Sequence, residues 1–334
     1  MCGVNMKFKH KVLLFISIIL SLICIFNFNS SYIVKADEKV YLGGFTAGFS
    51  VQTPGAKVVG ICDVVTNNGV LSPSKNANIK VNDVILTIDN VKVNSANDVA
   101  NEIKGKSKVN LGILRQNNIF DRQIEVAKDI YGCEKLGLFI KDDINGIGTI
   151  TFIKGNKFAS LGHPIVSEEG ENLEILTGNL YNCSISGCIK GEKGKAGELR
   201  GVFIKNNPIA TINKNLNTGV FGCLNDNFDK SLLKEIEIGD AKIGDAKIYS
   251  TIDNGNPKYY SISIVKIDCD TNSKNFVIKI NDEELLSKTN GIVQGMSGSP
   301  IIQNDRLVGA VTHVFINDPT RGFGLSIDKM LNSM

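Results

Sequence analysis

Gly291-Ile292-Val293-Gln294-Gly295-Met296-Ser297-Gly298-Ser299-Pro300-Ile301 is the stretch on which the reading of this chain turns. One serine sits between glycines inside an otherwise apolar run. Glycine reaches left-handed backbone without a steric cost, so the run can turn tightly enough for two N–H groups to point at one spot. Donors converging in this way stabilise a developing oxyanion, each by about 3 kcal/mol. The stretch therefore reads as a nucleophile turn, with Ser297 as the nucleophile. Ser299, followed by Pro300, reads as structural. Downstream, Leu307-Val308-Gly309-Ala310-Val311-Thr312-His313 has β-strand character.

A serine hydroxyl needs a base. The chain has three histidines. His10 falls in the N-terminal apolar segment and His313 on the strand just described. His163 stands in Phe158-Ala159-Ser160-Leu161-Gly162-His163-Pro164-Ile165, ahead of Ser297. The acid that orients it is harder to choose. Asp240, Asp245, Asp253, Asp268, Asp270 and Asp282 all lie between His163 and Ser297. Asp282 opens Asp282-Glu283-Glu284-Leu285-Leu286 directly after an apolar strand, where it reads equally well as a helix N-cap.

Outward from this region the pattern is short β-branched runs broken by Gly, Asn and Asp. Strands are expected at Lys57–Ile61, Val84–Ile88, Val109–Leu114, Thr149–Ile153, Val202–Ile204, Ser261–Ile267, Phe276–Ile280 and Leu307–Val314. Helices are expected only at Ser95–Lys104 and Asp229–Glu237. The fold class is mainly β, and 334 residues suit about two domains. The boundary is read at Asp129–Gly137. The tandem Ile238-Gly239-Asp240-Ala241-Lys242 and Ile243-Gly244-Asp245-Ala246-Lys247 reads as a duplicated turn.

Composition removes other classes. A net charge of +3 with no Lys/Arg cluster excludes a nucleic-acid partner. Lys7, Lys9 and Lys11 precede the apolar run Val12–Phe26, and Val34-Lys35-Ala36 resembles a cleavage site. Residues 1–36 are thus expected to be a signal peptide or an N-terminal membrane anchor, placing the remainder outside the cytoplasm. Eight cysteines without a C-x-x-C pair argue against zinc. Most are expected to be small buried hydrophobes.

Two resemblances add to these readings. Residues 43–128 resemble a PDZ domain, a β-sandwich with helices, in the run from Ser72-Pro73-Ser74 through Val81-Asn82-Asp83-Val84-Ile85 to Asp89 and in the helix and strand that follow. Asn78 and Asn82 replace the usual glycines, and both tolerate left-handed backbone. The resemblance implies peptide capture by strand addition, with Ala47-Gly48-Phe49-Ser50 as the binding loop. The nucleophile turn and its following strand resemble chymotrypsin-like proteases, with a double β-barrel and the chain order His, Asp, Ser. That resemblance implies His163 as the base, the N–H groups of Gly295 and Ser297 as the oxyanion hole, and Val311, Thr312 and His313 as the edge along which an extended substrate would lie.

The PDZ segment, residues 158–165, residues 291–301 and Ala310-Val311-Thr312-His313-Val314-Phe315-Ile316-Asn317-Asp318-Pro319 together resemble the SpoIVB peptidases of endospore-forming bacteria. That resemblance implies a serine endopeptidase domain over 133–334, with a triad of His163, Asp282 and Ser297 and no metal or cofactor. It further implies a protein substrate, a membrane-bound regulator of an intramembrane protease. The exported enzyme would cleave that regulator between the forespore and mother-cell membranes, triggering sigma-factor activation. The PDZ domain would hold a peptide or the chain's own N-terminal segment. A paralogous envelope protease and a catalytically silent PDZ scaffold are the alternatives.

Overall fold

Runs of alternating apolar residues pair into ladders because each ladder buries one face of its strands. In a computed structural model, residues 39–167, 170–267 and 274–334 are described. The expected export segment, 1–36, lies outside them. No helix among the described residues is long and apolar enough to cross a membrane.

Strand β1 (Lys39–Leu42) leads into β2 (Thr46–Ile61), which is 16 residues long. Shorter elements follow: β3 (Val64–Thr66), β4 (Gly69–Leu71), α1 (Pro73–Asn76), β5 (Val84–Ile88), β6 (Val91–Lys92), α2 (Ala96–Ile103), β7 (Lys108–Arg115), β8 (Asn118–Glu125), β9 (Ala127–Lys128) and β10 (Glu134–Lys135). Next come β11 (Leu138–Lys154), β12 (Lys157–Ser160), β13 (Thr177–Ile189), β14 (Gly197–Ile204), β15 (Ala210–Leu216), β16 (Gly219–Leu224) and β17 (Glu235–Ile238). The chain closes with β18 (Gly244–Ser250), β19 (Lys258–Ile267), β20 (Phe276–Ile280), α3 (Glu283–Thr289), β21 (Val293–Gln294), β22 (Pro300–Gln303), β23 (Arg306–Phe315), β24 (Asp318–Ser326) and α4 (Ile327–Leu331).

Two rings emerge from the pairings. The first runs β2, β11, β12, β16, β15, β13 and back to β2, antiparallel throughout. Phe49, Val51, Ile150, Phe158, Leu180 and Val220 fill it. The second runs β18, β19, β20, β24, β23, β22 and back to β18. Its filling includes Ile248, Tyr260, Ile262, Phe276, Ile278, Ile301 and Val311. Phe276, Ile278 and Ile280 alternate with the less buried Val277 and Lys279, as one buried sheet face requires. Closure leaves these barrels without the free edges of open sheets. A third cluster, with Leu42, Phe152, Phe221, Leu307 and Met330, packs between the rings. Strand β17 ties them, pairing with β1 of the first half and β23 of the second. The expected mainly β, double-barrel architecture is thus present.

The PDZ region grows out of the first barrel. Strands β2 and β11 pair from Thr46↔Thr149 to Ile61↔Leu138, so one long hairpin crosses from barrel to PDZ. Residues between its arms fold around Ile85, Ile88, Val99, Leu111, Ile113 and Leu136. Asn78 (φ 55°) and Asn82 (φ 74°) are left-handed, as expected. They precede a fully buried Asp83, which Arg115 meets with two nitrogens at 2.6 and 2.7 Å.

Several expectations are corrected here. Asp129–Gly137, read as the domain boundary, is itself structured: it holds β10, which pairs with β9, and Leu136, which is buried in the PDZ core. Beyond 128, Leu136 and Leu138 pack with the PDZ core, and residues 47–52 pair with β13 of the barrel. Asp229–Glu237 is not helical: Asp229 accepts the N–H of Ser231 in a turn, and Glu235–Ile238 is a strand with Ile236 and Ile238 buried. The second Ile-Gly-Asp-Ala-Lys copy starts β18 instead of repeating a turn. The cysteines are less buried than expected. Cys133 is exposed, Cys62, Cys183, Cys188 and Cys223 are partly so, and all five thiols are free.

Candidate active site

The nucleophile turn is held by the opposite barrel. On β11, Thr149 Oγ1 donates to the Gly295 carbonyl (2.8 Å), Thr149 N–H to the Ser297 carbonyl (2.9 Å) and Thr151 Oγ1 to the Gly298 carbonyl (2.7 Å). Strand β23 holds its other side: Gly298 N–H donates to the Val311 carbonyl (2.7 Å) and Val311 N–H to the Ser299 carbonyl (2.9 Å). Gly295 and Gly298 have φ of 98° and 93°. A Cβ on Gly298 would stand 2.1 Å from the Thr149 carbonyl oxygen. These glycines are therefore required both for conformation and for space. Ser299 is buried against Ser250 and the Met296 carbonyl, consistent with its structural reading.

His163 comes from the first barrel, just past β12. Leu161 and Gly162 before it both have positive φ, 65° and 69°. For a leucine that conformation costs on the order of 1–3 kcal/mol, and such strain concentrates at functional sites. A Cβ on Gly162 would meet Thr312 Cγ2 at 2.7 Å, so the turn lies directly on β23. Asn215 on β15 clamps the far side, taking the Ile165 N–H and donating to the Ile165 and Leu173 carbonyls. His163 Nδ1 lies 2.8 Å from the Pro164 carbonyl oxygen. A carbonyl only accepts, so Nδ1 carries the proton and Nε2 keeps its lone pair. Burial pushes the His163 pKa below its usual 6.5, against an opposing push from that hydrogen bond.

The two elements meet in a cleft of about 430 Å³ whose lining includes Ile147, Leu161, His163, Ile165, Val293, Ser297, His313 and Val314. No Asp, Glu, Lys or Arg is among the lining residues. Ser297 Oγ donates to the Thr312 carbonyl at 2.7 Å. The His163 and His313 rings are 4.7 Å apart at 40°. A register shift between Val311 and Val314 in the β23–β24 ladder marks an irregularity at Thr312 and His313. Bulges of this kind re-aim side chains beside active sites.

Three sequence expectations fall elsewhere. Asp282 is not brought to His163. Its Oδ1 accepts the Leu285 N–H (3.0 Å) as N-cap of α3, and its Oδ2 accepts the Ser261 N–H (3.1 Å). Each oxygen accepts one backbone N–H, and no hydrogen bond joins either to His163. Among the described residues no carboxylate is paired with His163. Asp253 is paired with Lys288, and Asp268 and Asp270 lie outside the described residues. Val311 is not a free substrate edge, because its N–H and C=O both serve the nucleophile turn. Ala47, Gly48, Phe49 and Ser50 are no binding loop. They are buried in β2, with β11 on one edge and β13 on the other. Gly48 is needed because a Cβ there would meet the Phe203 ring at 2.5 Å.

The edge suited to a peptide lies at the start of β11. Among the described residues, Leu138–Lys141 pairs only with β2. Beside it a groove of about 610 Å³ is lined by Val99 and Ile103 of α2 and by Leu136, Gly137 and Phe139. Asp142 on β11 accepts the Ala96 N–H at 2.6 Å, fixing α2 alongside the strand. Sequence reasoning missed Leu136-Gly137-Leu138-Phe139, although it holds the same glycine–apolar signal as residues 47–50. It also missed Thr149, Thr151 and Asn215, which carry no motif and act only through their placement.

The family model of SpoIVB peptidase S55 matches residues 132–331, and that of the PDZ domain matches 46–126. A search of the curated proteins finds no match. Among solved structures, the chain is similar to the inactive form of the Rv3671c protease, with a TM-score of 0.33, 15% identity, and coverage of 57% of this chain and 82% of that one. It is also similar to the active form of Rv3671c protease from M. tuberculosis, with a TM-score of 0.34, 16% identity, and coverage of 57% and 73%.

Proposed function

The chain belongs to the SpoIVB peptidase S55 family, and from that premise we propose that its serine peptidase activity runs on Ser297 and His163 and serves an exported signalling cleavage. One observation carries the residue assignment. Ser297 and His163, supplied by different barrels, line one uncharged cleft, and the His163 Nδ1 proton is committed to the Pro164 carbonyl. That tautomer is the one a general base needs.

The steps follow from these positions. An extended peptide laid beside β23 offers an N–H to the Thr312 carbonyl, the acceptor that Ser297 Oγ uses in its absence. The freed hydroxyl turns to His163 Nε2. Oγ attacks the peptide carbonyl carbon as its proton passes to Nε2, and the N–H groups of Gly295 and Ser297 take the oxyanion. The C–N bond breaks as the imidazolium returns the proton to the leaving nitrogen. Water then attacks the acyl-enzyme by the same route and restores Ser297. The uncharged cleft suits apolar residues at the cleaved bond.

In the cell, the reading is an exported enzyme of sporulation signalling. Its substrate is the extracytoplasmic part of a membrane-bound regulator, and its groove beside α2 holds an extended peptide. Support comes from the family, the PDZ fold and the basic-then-apolar start of the sequence. The test is to map new protein N-termini in producing cells carrying wild-type or Ser297→Ala chain. One or a few Ser297-dependent cuts in extracytoplasmic parts of membrane proteins are expected. Cuts in many unrelated envelope proteins would indicate quality control instead, and none would indicate a scaffold.

A further inference from the structure

His313 has a buried Nδ1 with no hydrogen-bond partner. Leaving such an atom unsatisfied costs about 1–3 kcal/mol, and groups of this kind persist where function uses them. Its ring lies 4.7 Å from that of His163. It follows Thr312, whose carbonyl holds the Ser297 hydroxyl, at the β23 irregularity. Gly322 opposite is required for this path, since a Cβ there would stand 2.4 Å from the His313 carbonyl oxygen. Asp282, expected to support His163, is engaged by two backbone N–H groups.

We propose that His313 is the positioning residue of His163: its neutral ring packs against the base, and its unused Nδ1 lone pair supports the imidazolium formed when His163 takes the Ser297 proton. The inference rests on the Ser297–His163 reading. Positive charge forms there in a cleft with no ionic side chain in its lining, so a neighbouring lone pair acts at low dielectric. His313 must itself stay neutral for this. Burial, then the nearby His163 and Lys274, push its pKa down to about 4. Those are the titratable groups that act on it: His163 from the turn after β12, and Lys274 from the segment before β20, whose Nζ lies over the Phe323 ring.

The experiment uses the full chain and a fluorophosphonate probe, with the maximal labelling rate and the half-saturating concentration measured from pH 4 to 9. His313→Gln is expected to lower the maximal rate by roughly 10- to 100-fold and to change the half-saturating concentration by less than about 3-fold. Its acid limb is expected to move down, because the imidazolium of His163 loses the lone pair that supports it. His313→Phe keeps a ring but no lone pair, and should be similarly slow while remaining folded by circular dichroism. A His313→Phe or His313→Gln chain that labels at the wild-type rate with an unmoved acid limb overturns the proposal. If His313→Gln does not fold, His313→Phe decides alone. Wild-type labelling by His163→Ala would instead remove the Ser297–His163 pair on which the proposal stands.

Discussion

The cleft at Ser297 and the turn at Asp282 lie close in sequence and read as parts of one site, yet their polar groups are used in opposite ways. In the cleft, backbone carbonyls are taken up by Thr149 and Thr151, which leaves Ser297 and His163 as the groups presented to a substrate. At the turn the reverse holds: backbone N–H groups occupy both carboxylate oxygens, and the side chain is spent on structure. A residue is available for chemistry when the fold satisfies its surroundings without it. The residue type alone does not decide this.

Substitutions can break or sharpen the contrast. Ser297→Ala and His163→Ala should each lower kcat by about 10⁴-fold or more, read with a peptide substrate and by loss of fluorophosphonate labelling. Gly162→Val forces a side chain against Thr312 and a β-branched residue into left-handed backbone. Displacing the base by about 1 Å should cost on the order of 100-fold in kcat, with folding checked by circular dichroism. The pH dependence should follow His163. Activity needs its neutral form, and burial lowers its pKa, so the acid limb of kcat/KM should lie below 6.5 and move upward in variants that open the cleft. Stability shares that sign. His163 and His313 are held neutral, with pKa values below the unfolded value. Their contribution is intact above 6.5 and is lost as pH falls below it, for His313 towards about 4. Smallest is Asp282→Ala, which should remove a helix cap worth about 1 kcal/mol, seen as a modest drop in the urea midpoint.

The strands, the nucleophile turn and the left-handed Asn78 and Asn82 were legible because each rests on local chemistry: alternation, glycine freedom or amide tolerance of positive φ. What was not legible depends on pairing between distant segments. Ala47-Gly48-Phe49-Ser50 and Leu136-Gly137-Leu138-Phe139 both set a glycine among apolar residues, and only the ladders show that the first has both edges filled while the second has one open. Asn215 gives no local hint that it clamps the His163 turn. Asp282 carried two signals at once, a spacing suited to an acid and a sequence suited to a cap, and geometry favours the cap.

The most direct test of the account is the saturating rate of fluorophosphonate labelling of Asp282→Ala beside that of His163→Ala, in chains shown to be folded. The account predicts that Asp282→Ala labels within about 3-fold of wild type while His163→Ala is slower by about 10⁴-fold. An Asp282→Ala chain as slow as His163→Ala, with its fold intact, would contradict it and return Asp282 to the active site.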